Sequence, residues 1–132
     1  MGKRNIINLD SLSVVFTIMG ISSHENDYRL SWSVNEQLGL TFVKNENLVA
    51  GDGREFSCFV HEDENQSLLL ISNRCDNGFL LEKHKNIDFI LKFNTELNDT
   101  EISAWLGNLK KVPLISTVFC IPVNKKMLWL LR

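Results

Sequence analysis

The sequence predicts an α+β domain, built as one mostly antiparallel sheet with two helices on one face. Three observations predict it. A strand–helix–strand succession occupies residues 12–44, a second one occupies residues 87–121, and short strand-like runs with tight turns fill the interval. The chain has 132 residues, of which 44% are hydrophobic, enough to bury one sizeable core. No Pro-rich linker, low-complexity run or internal repeat divides it, so residues 1–132 read as a single domain.

Residues 12–21 (LSVVFTIMGI) are apolar at both alternating positions, as in a strand with neighbours on both sides and a layer over it. From Ser22 the period becomes helical. Ser22 and Glu25 have capping-box spacing, Leu30, Val34 and Leu38 share one face at ~100° per residue, and Gly39 ends the helix. Residues 40–44, 54–61 and 67–73 read as strands, joined by the NENLVAGDG loop and the acidic HEDEN turn. RCDNG at 74–78 is a further turn, with Asn77-Gly78 its strongest signal. Ile87, Phe89, Leu91 and Phe93 alternate with Asp88 and Lys92, which predicts a strand. Asn98 and Glu101 form a helix-starting pair, and Ile102, Trp105, Leu106 and Leu109 follow at i, i+3, i+4 and i+7. Lys110 and Lys111 suit the helix C-terminus, Pro113 stops it, and residues 114–121 form the next strand. Two such units with an extra hairpin between them suggest a ferredoxin-like core.

Composition narrows the function classes. Charged residues make up 23% and the formal net charge is −2, so no electrostatic excess attracts phosphate backbones or anionic lipid. Neither nucleic acid nor a membrane is expected as a partner. Lys3 and Arg4 ahead of Val14–Ile18 have the outline of a signal peptide, but Asp10 and hydroxyl residues interrupt the apolar part and no small-x-small cleavage site follows. A buried strand is the better reading. Gly2 lacks the Ser or Thr at position 6 that myristoylation prefers, and no run approaches the ~18 apolar residues of a membrane helix. Cys58, Cys75 and Cys120 are odd in number and widely spaced, which suits a reducing cytoplasm.

The densest polar stretch, HENDYR at 24–29, is explained largely by a helix start, with Asp27 favourable near the positive end of the macrodipole. Tyr28 and Trp32 are not explained that way. They fall nearly opposite the apolar stripe, and two aromatics on an outer face need a cover: a neighbouring loop, the C-terminal tail, a second subunit or a ligand. Cover from within the chain is the first expectation, and a homodimer or another protein partner the second. The five apolar residues from Met127 to Leu131 are expected to dock rather than fray, on this domain's own core first and on a second copy otherwise.

The stretches GISSHENDYRLSWSVNEQLGL, LLLISNRCDNGFLL and LEKHKNIDFIL resemble successive signature segments of a family of small uncharacterised bacterial proteins, found mainly in Bacteroidota. The family takes its name from an Ile-Pro-Glu-x-x-x-Val-Asp-Tyr motif, which would fall on Leu81 to Phe89 here, with only Asp88 identical. The resemblance implies a bacterial cytoplasmic protein without catalytic residues to carry over.

Catalytic constellations are missing from the sequence: no G-x-S-x-G elbow, P-loop, G-x-G-x-x-G after a strand, H-E-x-x-H or C-x-x-C. Cys58 and His61, three apart on a strand, point to opposite faces and do not share a metal. Glu62, Asp63 and Glu64 read as a solvated hairpin tip, His84 as a surface histidine and Asp88 as an exposed carboxylate. No metal or cofactor is expected, and no catalytic residue is assigned. The chain therefore reads as a non-enzymatic interaction or small-ligand-sensing module, with Asp27, Tyr28, Arg29 and Trp32 as candidate binding residues. The alternative is a small metal-independent enzyme using the polar residues near Asp27, Tyr28 and Arg29.

Overall fold

The computed structural model describes residues 16–131. The reading of residues 1–15, including the first part of the expected 12–21 strand, lies outside them, as do Arg132 and the side chain of Trp129. In chain order the elements are β1 (Thr17–Ser22), α1 (Asp27–Leu38), β2 (Val43–Lys44), β3 (Leu48–Val49), β4 (Glu55–Phe56), β5 (Cys58–Glu62) and β6 (Ser67–Ser72). Then follow β7 (Arg74–Cys75), β8 (Gly78–Phe79), β9 (Phe89–Phe93), α2 (Asp99–Leu109), β10 (Thr117–Ile121) and α3 (Lys125–Leu131). Six strands make one sheet in the order β10-β1-β9-β6-β5-β2, and each neighbouring pair is antiparallel. The expected α+β class is the observed one. No helix among the described residues is long and apolar enough to cross a membrane.

Both faces of the sheet carry a buried apolar cluster, which is why most strand positions alternate between two apolar sets rather than between apolar and polar. Met19, Ile21, Leu68, Leu70, Leu91 and Phe93 meet Leu30 and Val34 of α1 and Leu109 of α2 on the helix face. Leu30 and Val34 are buried and Leu38 is half-buried, so the phase expected for α1 holds. In α2, Asn98 and Glu101 form the reciprocal capping box, and Trp105 sits edge-on to Phe93 with ring centroids 5.0 Å apart.

The start of α1 differs from expectation. Ser22 remains in β1 opposite Thr117, its hydroxyl donating to the Asn86 carbonyl at 2.9 Å, and the Ser23 N–H is held by Asp88. Those sheet contacts outcompete a cap at Ser22. The helix begins at Asp27 instead, with Asn26 as the cap residue accepting from the Arg29 N–H at 2.9 Å. Gly39 ends it at φ 67°, a left-handed conformation open to glycine.

Residues 54–61 do not form one strand. At Ser57, whose carbonyl accepts from the Ser72 N–H, the chain bends, and β4 leaves the sheet to pair with β3. That hairpin carries Phe56 onto the second sheet face, together with Leu80, Leu81 and Ile87 from the segment before β9.

The two-helix expectation also needs correcting, because a third helix, α3, packs on this opposite face through Met127 and Leu131. The tail thus docks within its own domain. Gly20 makes the close packing of this layer feasible: a Cβ there would lie 2.5 Å from Ile87 Cδ1 and 2.9 Å from Ile121 Cδ1.

Gly20→Ala is expected to cost about 1–3 kcal/mol in urea unfolding, since the two isoleucine side chains it would push aside are themselves buried. Deleting residues 125–132 should lower the melting temperature at every protein concentration, without changing the mass seen by light scattering. Met127 and Leu131 would leave several kcal/mol of buried surface unprotected, at ~25 cal/mol per Å².

Candidate functional site

The four candidate residues sit on the first turns of α1, and the structure does not bring their polar groups to one point. Asp27 is the first helical residue. One of its oxygens accepts from the Tyr28 N–H at 2.8 Å, and the other accepts from the Ser57 hydroxyl, which ties the helix start to the β4–β5 bend. Arg29 reaches back to Glu25, Nε to Oε1 2.7 Å, as a surface ion pair. Tyr28 is 62% exposed and leans edge-on against Phe59, with centroids 5.2 Å apart, while Trp32 one turn on is 64% exposed. Cover from within the chain was expected for these rings, and among the described residues they do not have it. The tail that was one candidate cover packs on the opposite face of the sheet. What remains is a flat aromatic patch beside polar groups already paired with each other.

The most connected polar cluster lies at the sheet end where β1 and β6 finish and β9 begins, and sequence reasoning missed it. Asn73 is fully buried. Its amide nitrogen donates to the carbonyls of His84 at 3.0 Å and Ile87 at 2.9 Å, and its oxygen accepts from the Leu81 N–H at 2.7 Å. Its backbone bonds to Asp88 and Leu80 complete the set. Asp88 is not the exposed carboxylate expected. It accepts from the Ser23 N–H at 2.9 Å and from Arg74 Nε at 2.7 Å, and the Arg74 guanidinium lies 5.1 Å from the centroid of Phe79. The sequence signal was there: polar residues directly at the ends of apolar runs, Ser22-Ser23, Asn73-Arg74 and Asp88. Each looks like ordinary loop chemistry until the strands are placed side by side.

Other titratable groups are also engaged or blunted. His61 is buried on the helix face, and Cys58 belongs to the opposite cluster, as strand alternation requires. The Thr41 N–H donates to His61 Nδ1 at 3.0 Å, which leaves the ring hydrogen on Nε2 facing Asp63 at 2.9 Å. That contact, followed by the N–H groups of Asn65 and Gln66, holds the Asp63 carboxyl below its ordinary range. Burial pushes the thiols of Cys58 and Cys120 up, away from the reactive thiolate. His84 is half-buried rather than exposed. Among the described residues no group of three or more His, Cys, Asp or Glu side chains is arranged to hold a metal ion.

Three cavities lie away from Asp27, Tyr28, Arg29 and Trp32. One of about 40 Å³ lies between Leu81, His84 and the α3 residues Met127 and Leu130, space for little more than a water. A shallow groove of about 280 Å³ runs between Leu38 and Leu40 on one side and Trp105 and Asn108 on the other. A third hollow lies on the sheet face opposite α1 and α2, around Lys92. No protein-family model matches this chain, and a search of curated proteins finds no match.

Asn73→Ala is expected to destabilise the fold by about 2 kcal/mol or more in denaturant unfolding, since it strands the Leu81 N–H and the Ile87 carbonyl. Asp76→Ala, at an exposed position in the adjacent turn, should stay within about 0.5 kcal/mol.

Proposed function

We propose that this chain is a non-enzymatic cytoplasmic module that works by binding a protein partner through the Tyr28–Trp32 face of α1. One observation carries the reading. Two large aromatics stand exposed one turn apart on a helix anchored to the sheet by Leu30 and Val34, while Asp27 and Arg29 beside them are already paired. Aromatic side chains bring ~150–250 Å² of contact area each at low entropic cost, and exposed patches of this kind mark interaction sites. The enzyme alternative has less support, because Asp27 and Arg29 spend their charges on Ser57 and Glu25 rather than on an open cleft. Three cysteines without disulfides support the cytoplasmic assignment.

We also retain the family resemblance and the ferredoxin-like reading as part of this proposal. The three resembling stretches meet at one place, through Ser23, Arg74 and Asp88, which is what segments sharing a structural role would do. The strand order β10-β1-β9-β6, with α1 after β1 and α2 between β9 and β10, supports a ferredoxin-like core. β2 and β5 then form an addition at one edge.

A photo-crosslinking residue in place of Trp32, irradiated in the producing cell, should give one discrete protein adduct, and the same residue at Gln37 should not. Mass spectrometry identifies the adduct, a second copy of this chain included. The double variant Tyr28→Ala/Trp32→Ala should melt within about 2 °C of the parent, because exposed residues contribute little to stability. Equal labelling from positions 32 and 37, or substrate turnover abolished by Asp27→Ala, would overturn the reading.

A further inference from the structure

Lys92 is anomalous. It lies on β9, in the middle of the sheet, with Leu69 and Ile18 as its direct cross-strand neighbours, so a charge stands in an otherwise apolar row. The residue is half-buried, and burial pushes its ammonium below the ordinary lysine value. Among the described residues no carboxylate comes within ion-pairing distance of it. Its nearest compensation is the Phe16 ring, 5.0 Å away. A half-buried cation held that way has room for an anion that the described residues do not supply.

The surroundings narrow what that anion can be. Lys92 borders a hollow of about 210 Å³ whose floor is Val60 and Leu69 and whose far rim carries Glu62. Glu62, Ser67 and Asn94 form the next cross-strand row on the same face as Val60, Leu69 and Lys92. At ~4.8 Å between strands and ~3.4 Å per residue, the Cα atoms of Glu62 and Lys92 stand about 12 Å apart. Both residues border one hollow without pairing, and the space between them suits a ligand with adjacent charges of opposite sign. A simple anion would meet Glu62, and a simple cation would meet Lys92. The Asn45 amide, the Ser67 hydroxyl and the Asn94 amide nitrogen line the same hollow and have no hydrogen-bond partner among the described residues. The hollow is of a size that a small ligand can occupy.

We propose that this sheet face is a binding site for a small α-amino acid with a short apolar side chain. Its carboxylate is held by Lys92, its ammonium by Glu62, and its side chain rests on Val60 and Leu69. The site is remote from Tyr28 and Trp32, and its existence does not depend on that face binding a protein.

Calorimetric titration and thermal melting of the full chain with the standard amino acids test it. Isovalerate and isobutylamine serve as controls that carry valine's side chain with only one of its charges. At least one short apolar amino acid is expected to bind with a Kd of about 1 mM or tighter and to raise the melting temperature, and neither control should do so. Lys92→Met and Glu62→Gln should each weaken binding at least about tenfold while circular dichroism stays unchanged. Lys92→Gln provides a milder variant if Lys92→Met perturbs the fold. Three results would overturn the proposal: no amino acid binding below about 10 mM, isovalerate binding as tightly as valine, or affinity unchanged in both the position-92 and the position-62 variants.

Discussion

A buried side-chain amide with both its nitrogen and its oxygen hydrogen-bonded organises this molecule. Asn73 follows the last residue of β6, is fully buried, and uses both ends of its side chain to hold the segment from Leu81 to Ile87. That segment has only turn hydrogen bonds of its own, His84 N–H to the Leu81 carbonyl and Ile87 N–H to the His84 carbonyl, so the Leu81 N–H and the Ile87 carbonyl would be unpaired in the interior without such a partner. By satisfying them, Asn73 lets Leu80, Leu81 and Ile87 lie flat on the sheet as a covering layer. The same segment then leads into Asp88, whose carboxylate fixes Ser23 and Arg74 and so joins the ends of β1, β6 and β9. The Asn73 part of the network is buried, where each bond is stronger than in water and each missing one more costly.

The second sheet face shows how a short chain covers a sheet that is apolar on both sides. One face takes the two longer helices. The other is covered piecemeal by the β3–β4 hairpin, the Asn73-held segment and the seven-residue α3. Piecemeal cover requires close approach at particular points, and Gly20 is one: the space a side chain would fill is taken by Ile87 and Ile121. Cover also stops short of the whole face. Val60, Leu69 and Lys92 remain around an open hollow at the end away from the hairpin, and there the sheet carries mixed chemistry.

Much of the fold was legible because periodicity and capping are local. The alternation in residues 87–93, the Asn98–Glu101 cap and the stripe of Leu30, Val34 and Leu38 needed no knowledge of distant residues. Failures occurred where two local signals competed or a distant residue decided. Ser22–Glu25 and Asn26–Arg29 both have the spacing of a helix cap, and the first lost because Asn86 and Asp88, more than sixty positions away, hold Ser22 and Ser23 in the sheet. The helix at 125–131 was read only as an apolar tail, since five apolar residues in a row carry neither a 3.6 nor a 2.0 period. The outward placement of Tyr28 and Trp32 followed directly from helical phase, whereas the cover from within the chain that was expected for them is not there among the described residues. Lys92 looked like the solvent-facing member of an alternating strand and is half-buried instead, between Ile18 and Leu69 of the neighbouring strands.

Edge chemistry bears on how the aromatic face of α1 can be used. Val43 pairs with Val60, and the Asn45 N–H donates to the Cys58 carbonyl, so alternation turns the backbone groups of Phe42 and Lys44 away from the sheet. An incoming strand would need those groups. The Asn35 side chain, reaching down from α1, already accepts from the Phe42 N–H at 2.8 Å and donates to its carbonyl at 3.1 Å. The Lys44 ammonium, bonded to Asn45 and Asn47, adds a charge to what remains of the edge. Strand addition beside β2 is therefore discouraged by the same helix that carries Tyr28 and Trp32. A partner arriving at this side of the molecule meets side chains rather than an open ladder, and its recognition has to rest on aromatic contact area and shape rather than on backbone pairing.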